Sequence, residues 1–226
     1  MNSEMMADLT NLGLLSRRRI LRAGAGLAVL PLLSALGAGA VRAELTSEDM
    51  ADVKRVESYI NNIGTLQATF QQVDPNRAIS MGRIYLRRPG RMRVEYDPPN
   101  PLLIIADGVL ISQVDRKIGE LSQMPLKQST AWFLLRDPID IGDDITVTEV
   151  KRTPAELSVT LLQNDEPENG TVELIFRPDP IQLIKWVVTD TDQNKVYVGL
   201  LDVKEGLDLP ASLFATPRVN TNDNAK

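Results

Sequence analysis

The chain has 226 residues, of which 43% are hydrophobic and only 4% aromatic, and its formal net charge is −5. It contains neither cysteine nor histidine, which excludes disulfides, thiolate chemistry, Ser-His and Cys-His nucleophiles and nearly every zinc site. Residues 1–43 set five arginines against Glu4 and Asp8, so the remainder is more acidic than the whole and a poor match for nucleic acid.

Those first 43 residues have the layout of a leader. Ser16-Arg-Arg-Arg-Ile-Leu21 opens it, an apolar run rich in Ala, Gly and Leu follows from Ala23, and Val41-Arg42-Ala43 places small residues at the cleavage positions. The arginine pair and the polar lead before it resemble a Tat signal; a Sec signal with a basic start is the alternative. A transmembrane anchor competes with both, although glycines and Pro31 interrupt the run and leave it barely of spanning length. The expected mature chain therefore begins at Glu44, a single domain covers 44–216, and 217–226 is a frayed tail. No cysteine follows the cleavage site, so the protein is not itself expected to be a lipoprotein.

Thr46-Ser-Glu-Asp49 reads as a capping box, and Met50, Val53, Val56, Ile60 and Ile63 recur every three to four residues, predicting an amphipathic helix ended by Asn61-Asn62 and Gly64. Leu66–Val73 alternates as a strand with Leu66, Ala68 and Phe70 on one face, and Gln72 through Ser80 is polar enough to be a flexible connection. Then comes a meander. Ile84 and Leu86 alternate with Arg83, Tyr85 and Arg87; Met92, Val94 and Tyr96 alternate with Arg91, Arg93 and Glu95; and Pro89-Gly90 and Asp107-Gly108 mark the turns. The register of 102–114, including Leu102 and Ile104, stays open. Gln123–Arg136 is looser, with Ser129 as N-cap of a short helix through Leu135 that carries Trp132 and Phe133. Five strands follow, at 145–150, 156–162, 171–176, 183–189 and 196–203. About ten strands without βαβ alternation predict a mainly β (α+β) fold: one strongly curved antiparallel sheet, an unclosed β-barrel, with short helices on its concave face. A closed barrel fits the same spacing.

No catalytic constellation emerges, so no enzyme activity, cofactor or metal is expected. Asp190-x-Asp192-x-Asn194 begins like a calcium loop but has Lys195 where Gly is needed and Leu201 where a bidentate Glu is needed, so it reads as a hairpin turn. Asp143-Asp144 and Glu166/Glu168 read as solvated loop charge. What remains is an aliphatic lining of Val, Ile, Leu and Met, which is either an ordinary core or a cavity suited to flexible acyl chains.

Several stretches, in order, resemble the periplasmic outer-membrane lipoprotein carrier family (LolA-like). They are Leu66-x-Ala-x-Phe70-x-Gln72, Gly82-x-Ile-x-Leu-x-Arg88-Pro-x-Arg91-x-Arg-x-Glu-Tyr96, Pro98-x-x-Pro101-Leu-Leu-Ile-Ile-Ala-Asp107-Gly108, Pro125-Leu126, Leu134-Leu135 and Leu213-Phe214-x-x-Pro217. The pattern departs at Val94, where the family often carries an aromatic. The resemblance implies a monomeric periplasmic carrier that takes acylated lipoproteins from an inner-membrane ABC transporter and hands them to an outer-membrane receptor. It implies a lid arginine at Arg88, and a cavity lined by Ile84, Leu86, Met92, Val94, Tyr96, Leu102, Ile104, Trp132 and Phe133. Arg87, beside the lid arginine, reads as a solvated strand-end cation. A lipid-binding or lipoprotein-sensing module of the same fold is the alternative.

Overall fold

The computed structural model describes residues 45–217, so the leader and the tail beyond Pro217 lie outside the described residues. Helix α1 (Ser47–Asn62) starts as its sequence predicts. The Thr46 hydroxyl accepts from the Asp49 amide at 3.1 Å, while the Asp49 carboxylate accepts from the Thr46 amide at 2.8 Å. Val53, Val56 and Ile60 are buried, but Met50 faces solvent, contrary to the expected stripe.

Eleven antiparallel strands form one sheet with two free edges. The strands are β1 (Thr65–Val73), β2 (Ile79–Arg87), β3 (Arg91–Tyr96), β4 (Leu102–Asp107), β5 (Leu110–Asp115), β6 (Glu120–Pro125), β7 (Ile145–Arg152), β8 (Leu157–Gln163), β9 (Thr171–Pro178), β10 (Ile181–Thr189) and β11 (Lys195–Glu205). Their order is β6-β5-β4-β3-β2-β1-β11-β10-β9-β8-β7. The chain thus runs out along one wing from β1 to β6, crosses to the far edge at β7, and returns to β1. Residues 126–144 make that crossing, so this segment must span the gap where a closed barrel would have paired its edges. It contains helix α2 (Trp132–Leu135).

The wings curve toward each other. Register breaks at Gln67/Thr69, Val147/Glu149 and Leu183/Lys185 add local bend. On the concave floor, Phe70 and Tyr96 meet edge to face with ring centres 5.1 Å apart, across Gly82. A Cβ at Gly82 would lie 2.0 Å from the Glu95 carbonyl oxygen and 2.7 Å from the Phe70 ring, so only glycine lets the two rings approach.

Three local expectations change. The 72–80 connection is shorter than its polarity predicts: Gln72 belongs to β1 and Ile79-Ser80 to β2, and the loop is closed by the Asp74 amide donating to Ala78 at 3.0 Å. Ser129 does not cap α2; its hydroxyl donates to the Leu126 carbonyl at 2.8 Å, finishing a 3₁₀ turn at Leu126–Gln128. β6 is a strand in its own right, its pattern masked because the edge is exposed along nearly its whole length.

The outer face also carries a strap. Beyond β11, residues 206–216 run across the back of the first wing, held by the Gly206 amide on the Thr65 carbonyl, the Thr65 hydroxyl on Leu207 O at 2.8 Å, Arg87 on Leu209 O at 2.8 Å and Arg93 on Leu213 O at 3.1 Å. Phe214 is buried beneath it. Arg87 is therefore a strap anchor rather than a free surface cation.

Candidate functional site

Inward-facing positions of both wings enclose one apolar cavity. The first wing contributes Ile84, Met92, Val94, Tyr96 and Ile104, and the second contributes Val172, Trp186, Val188, Val196 and Val198. The period of two explains the first set: Ile84 and Val94 are direct cross-strand partners, as are Val94 and Ile104, so a single row crosses three strands. The second set was not among the candidates. Its strands alternate as clearly, but that the far wing folds over the same space is a property of the whole sheet.

Four candidate residues lie elsewhere. Leu86 is on the same face as Ile84 but two residues nearer the Pro89 turn, where it is buried in packing rather than bordering the cavity. Leu102 begins β4 at its rim, half-buried. The helical turn decides the other two: Ala131 and Leu134, three apart, face the cavity, while Phe133 is buried in the core. The Trp132 ring lies against the cations of Lys127 at 5.7 Å and Arg136 at 6.0 Å, which keeps it on the outer side of the helix.

One end of the cavity is polar. The Tyr96 hydroxyl donates to Gln72 Oε1 at 2.7 Å, and Gln72 Nε2 donates to Asp74 at 2.6 Å. Burial, and then the nearby Asp74 charge, push the Tyr96 phenol above its ordinary range.

The opposite end is latched by Arg88. Its Nη1 donates to the Ile60 carbonyl in the last turn of α1, and its Nη2 donates to the Arg136 carbonyl just after α2. Asn61 Oδ1 stands 3.4 Å from Nη2, and Asp137 lies 3.8 Å away. The side chain is only 3% exposed and Nε has no partner among the described residues. Desolvation therefore lowers the guanidinium's proton affinity, with Asp137 opposing. Both acceptors are helix-end carbonyls; that of Ile60 also accepts from the Ile63 amide at 3.1 Å, and the negative end of the α1 dipole favours a cation there. Asn61 completes the latch by donating to Ile139 O at 2.9 Å and accepting from the Ile139 amide at 2.8 Å. Asn61, by sequence a helix stop, thus also ties the end of α1 to the segment after α2 through both ends of its carboxamide. Asp144, expected to be solvated, instead receives Arg136 Nη1 at 2.6 Å and so holds the end of α2.

The cavity measures about 170 Å³. Ligand pockets commonly hold roughly 300–1,000 Å³, so this cavity is small for its class. Other candidate motifs are structural: Asp190 accepts from the Asn194 amide at 2.9 Å and closes the β10–β11 hairpin, as the turn reading predicts.

A bent, unclosed sheet whose concave apolar side is covered by helices tied down through one buried arginine defines a half-barrel with a lidded cavity. The model of the family described as outer membrane lipoprotein carrier protein LolA matches residues 61–217, and the chain belongs to that family. Among curated relatives, an outer-membrane lipoprotein carrier protein of Chromobacterium violaceum is 31% identical over 193 residues, 82% of this chain and 93% of its own length. An uncharacterized protein of Rickettsia prowazekii is 28% identical over 142 residues, 63% of this chain; the match spans just 65% of that relative's length. Among solved structures, a LolA superfamily protein from Nitrosomonas europaea aligns with a TM-score of 0.42 at 11% identity, over 72% of this chain and 97% of its own.

Proposed function

We propose that the protein is a periplasmic carrier that shields the acyl chains of lipoproteins and moves them from the inner membrane to the outer membrane. The observation that carries this reading is the pairing of an aliphatic cavity with a lid held by a single buried cation. Burying a methylene gains about 0.8 kcal/mol relative to water, but acyl chains leave a bilayer where that gain is already realised. Transfer into Val, Ile, Leu and Met side chains is close to neutral, so direction comes from partners: a donor that expends energy at the inner membrane, an ABC transporter, and an outer-membrane receptor.

A carrier of this kind needs a lid that opens cheaply. Each hydrogen bond from the Arg88 guanidinium is worth about 1.5–3 kcal/mol, and desolvating the charge takes back much of that sum. The latch is therefore specific in geometry and modest in strength. The test is transfer of an acylated protein to acceptor membranes by the wild type, Arg88→Leu and Arg83→Leu. Arg83 is exposed on the outer face and serves as the control; Arg87 does not, because it anchors the strap. Arg88→Leu should load but release slowly, so loaded carrier accumulates. Equal transfer by all three proteins removes the latch from the mechanism.

A further inference from the structure

The two free edges of the sheet are protected unequally. β7 carries Glu149, Lys151 and Arg152, its register breaks at Val147/Glu149, and Arg152 pairs with Glu48, Asp49 and Asp52 of α1. Charge, irregularity and a covering helix are the usual means of keeping an edge from recruiting another chain. β6 lacks all three. Leu121-Ser-Gln-Met-Pro125 has no charge, pairs with β5 in unbroken register, and is exposed everywhere except at Met124.

Its unused backbone groups can be assigned. The Leu126 amide donates to the Val109 carbonyl at 2.9 Å, which makes Val109/Leu126 a hydrogen-bonded pair. Pairs alternate along an antiparallel ladder, so Met124, Ser122 and Glu120 bond back to β5. The amides and carbonyls of Leu121 and Gln123 then point away from the sheet. This edge is also where the cavity reaches solvent: of the residues lining it, Ser122 and Gln123 are the exposed ones.

We propose that the outer edge of β6 is a docking strand for an extended peptide, the segment of the cargo that directly follows its acyl-bearing residue. The inference rests on the carrier reading above. Acyl chains held in the cavity must leave their polypeptide at the mouth, and the mouth is bordered by a strand with two outward donors and acceptors free. Main-chain pairing places no demand on the peptide's side chains, which suits a carrier that accepts many cargo sequences.

The probe is an N-palmitoylated ten-residue peptide of Ser, Asn, Gly and Thr, compared with palmitate on the full chain. The peptide should bind roughly tenfold or more tightly than palmitate. Leu121→Pro removes an outward amide without touching the β5 ladder, and should reduce peptide affinity about three- to tenfold while leaving palmitate binding and the unfolding midpoint unchanged. A second measurement avoids any folding effect. The chain has no cysteine, so Leu121→Cys provides its only thiol. Disulfide formation with a cysteine walked along the peptide should rise and fall with a period of two residues. Equal affinity for peptide and palmitate, or cross-linking without periodicity, overturns the docking strand and leaves the carrier reading standing. Disulfides formed only between copies of the protein assign the edge to self-pairing and equally overturn it. Failure of both palmitate and the peptide to bind removes the carrier reading as well.

Discussion

Removing the Arg88 guanidinium leaves two helix-end carbonyls facing a leucine, so Arg88→Leu should raise the open population roughly tenfold or more, at about 1.4 kcal/mol per decade. Faster hydrogen exchange at the amides of 131–139, with the sheet unchanged, is the signature; uniform protection across both proteins would contradict it. A second residue-scale effect is alkaline. Burial and Asp74 raise the Tyr96 phenol, and burial with Glu205 raises that of Tyr59, both above the ordinary 10.0. The folded protein keeps these protons while the unfolded chain releases them, so the stability they contribute is complete below about pH 10 and is lost as pH rises toward the elevated folded values. Tyr96→Phe should flatten the fall of the unfolding midpoint above about pH 10, despite losing the bond to Gln72. An identical pH slope would mean that Tyr96 already ionises as freely in the folded state.

At the scale of elements, the lid and the strap brace opposite faces of the first wing. The lid holds the concave side through Arg88, and the strap holds the convex side through Thr65, Arg87 and Arg93, with Phe214 as its plug. Phe214→Ala should cost about 3 kcal/mol, read as a lower urea midpoint with an unchanged slope. A loss under 1 kcal/mol would mean that the strap is only a surface tether. Much of this level was legible in the residues. The capping box of α1, the strands from 145 onward and the turns at Pro89-Gly90 and Asp107-Gly108 follow from spacing and turn chemistry alone. The strap was not, because its anchors are backbone carbonyls, which leave no mark in the side-chain pattern. Nor was the orientation of α2. A four-residue helix that is apolar on all sides does not declare which pair faces inward, and here Lys127 and Arg136 decide it by flanking Trp132. Met50 is on the apolar stripe by spacing yet exposed, because periodicity marks a face and not which of its positions is covered.

The whole molecule behaves as a folded sheet in which position along a strand determines inside from outside, and the cavity exists only because two wings meet. Alternation puts Ile84, Met92, Val94 and Tyr96 on one face of the near wing but leaves the register of Ile104 open; the far-wing residues Val172, Trp186 and Val188 depend on strand order, with β1 between β2 and β11. An apolar row of this kind could equally be a sealed core, and the two differ in what a charge does there. Val94 sits at the centre of the row, 8% exposed, with cross-strand partners Ile84 and Ile104. In a cavity that opens, a carboxylate at this position is hydrated when the lid lifts; in a sealed core it is an unpaired buried charge, which destabilises severely. The most direct measurement is therefore palmitate binding together with the thermal unfolding midpoint of Val94→Glu. The account predicts that binding is abolished while the midpoint stays within a few degrees of wild type. A collapsed midpoint, or palmitate bound as well as by the wild type, would contradict it.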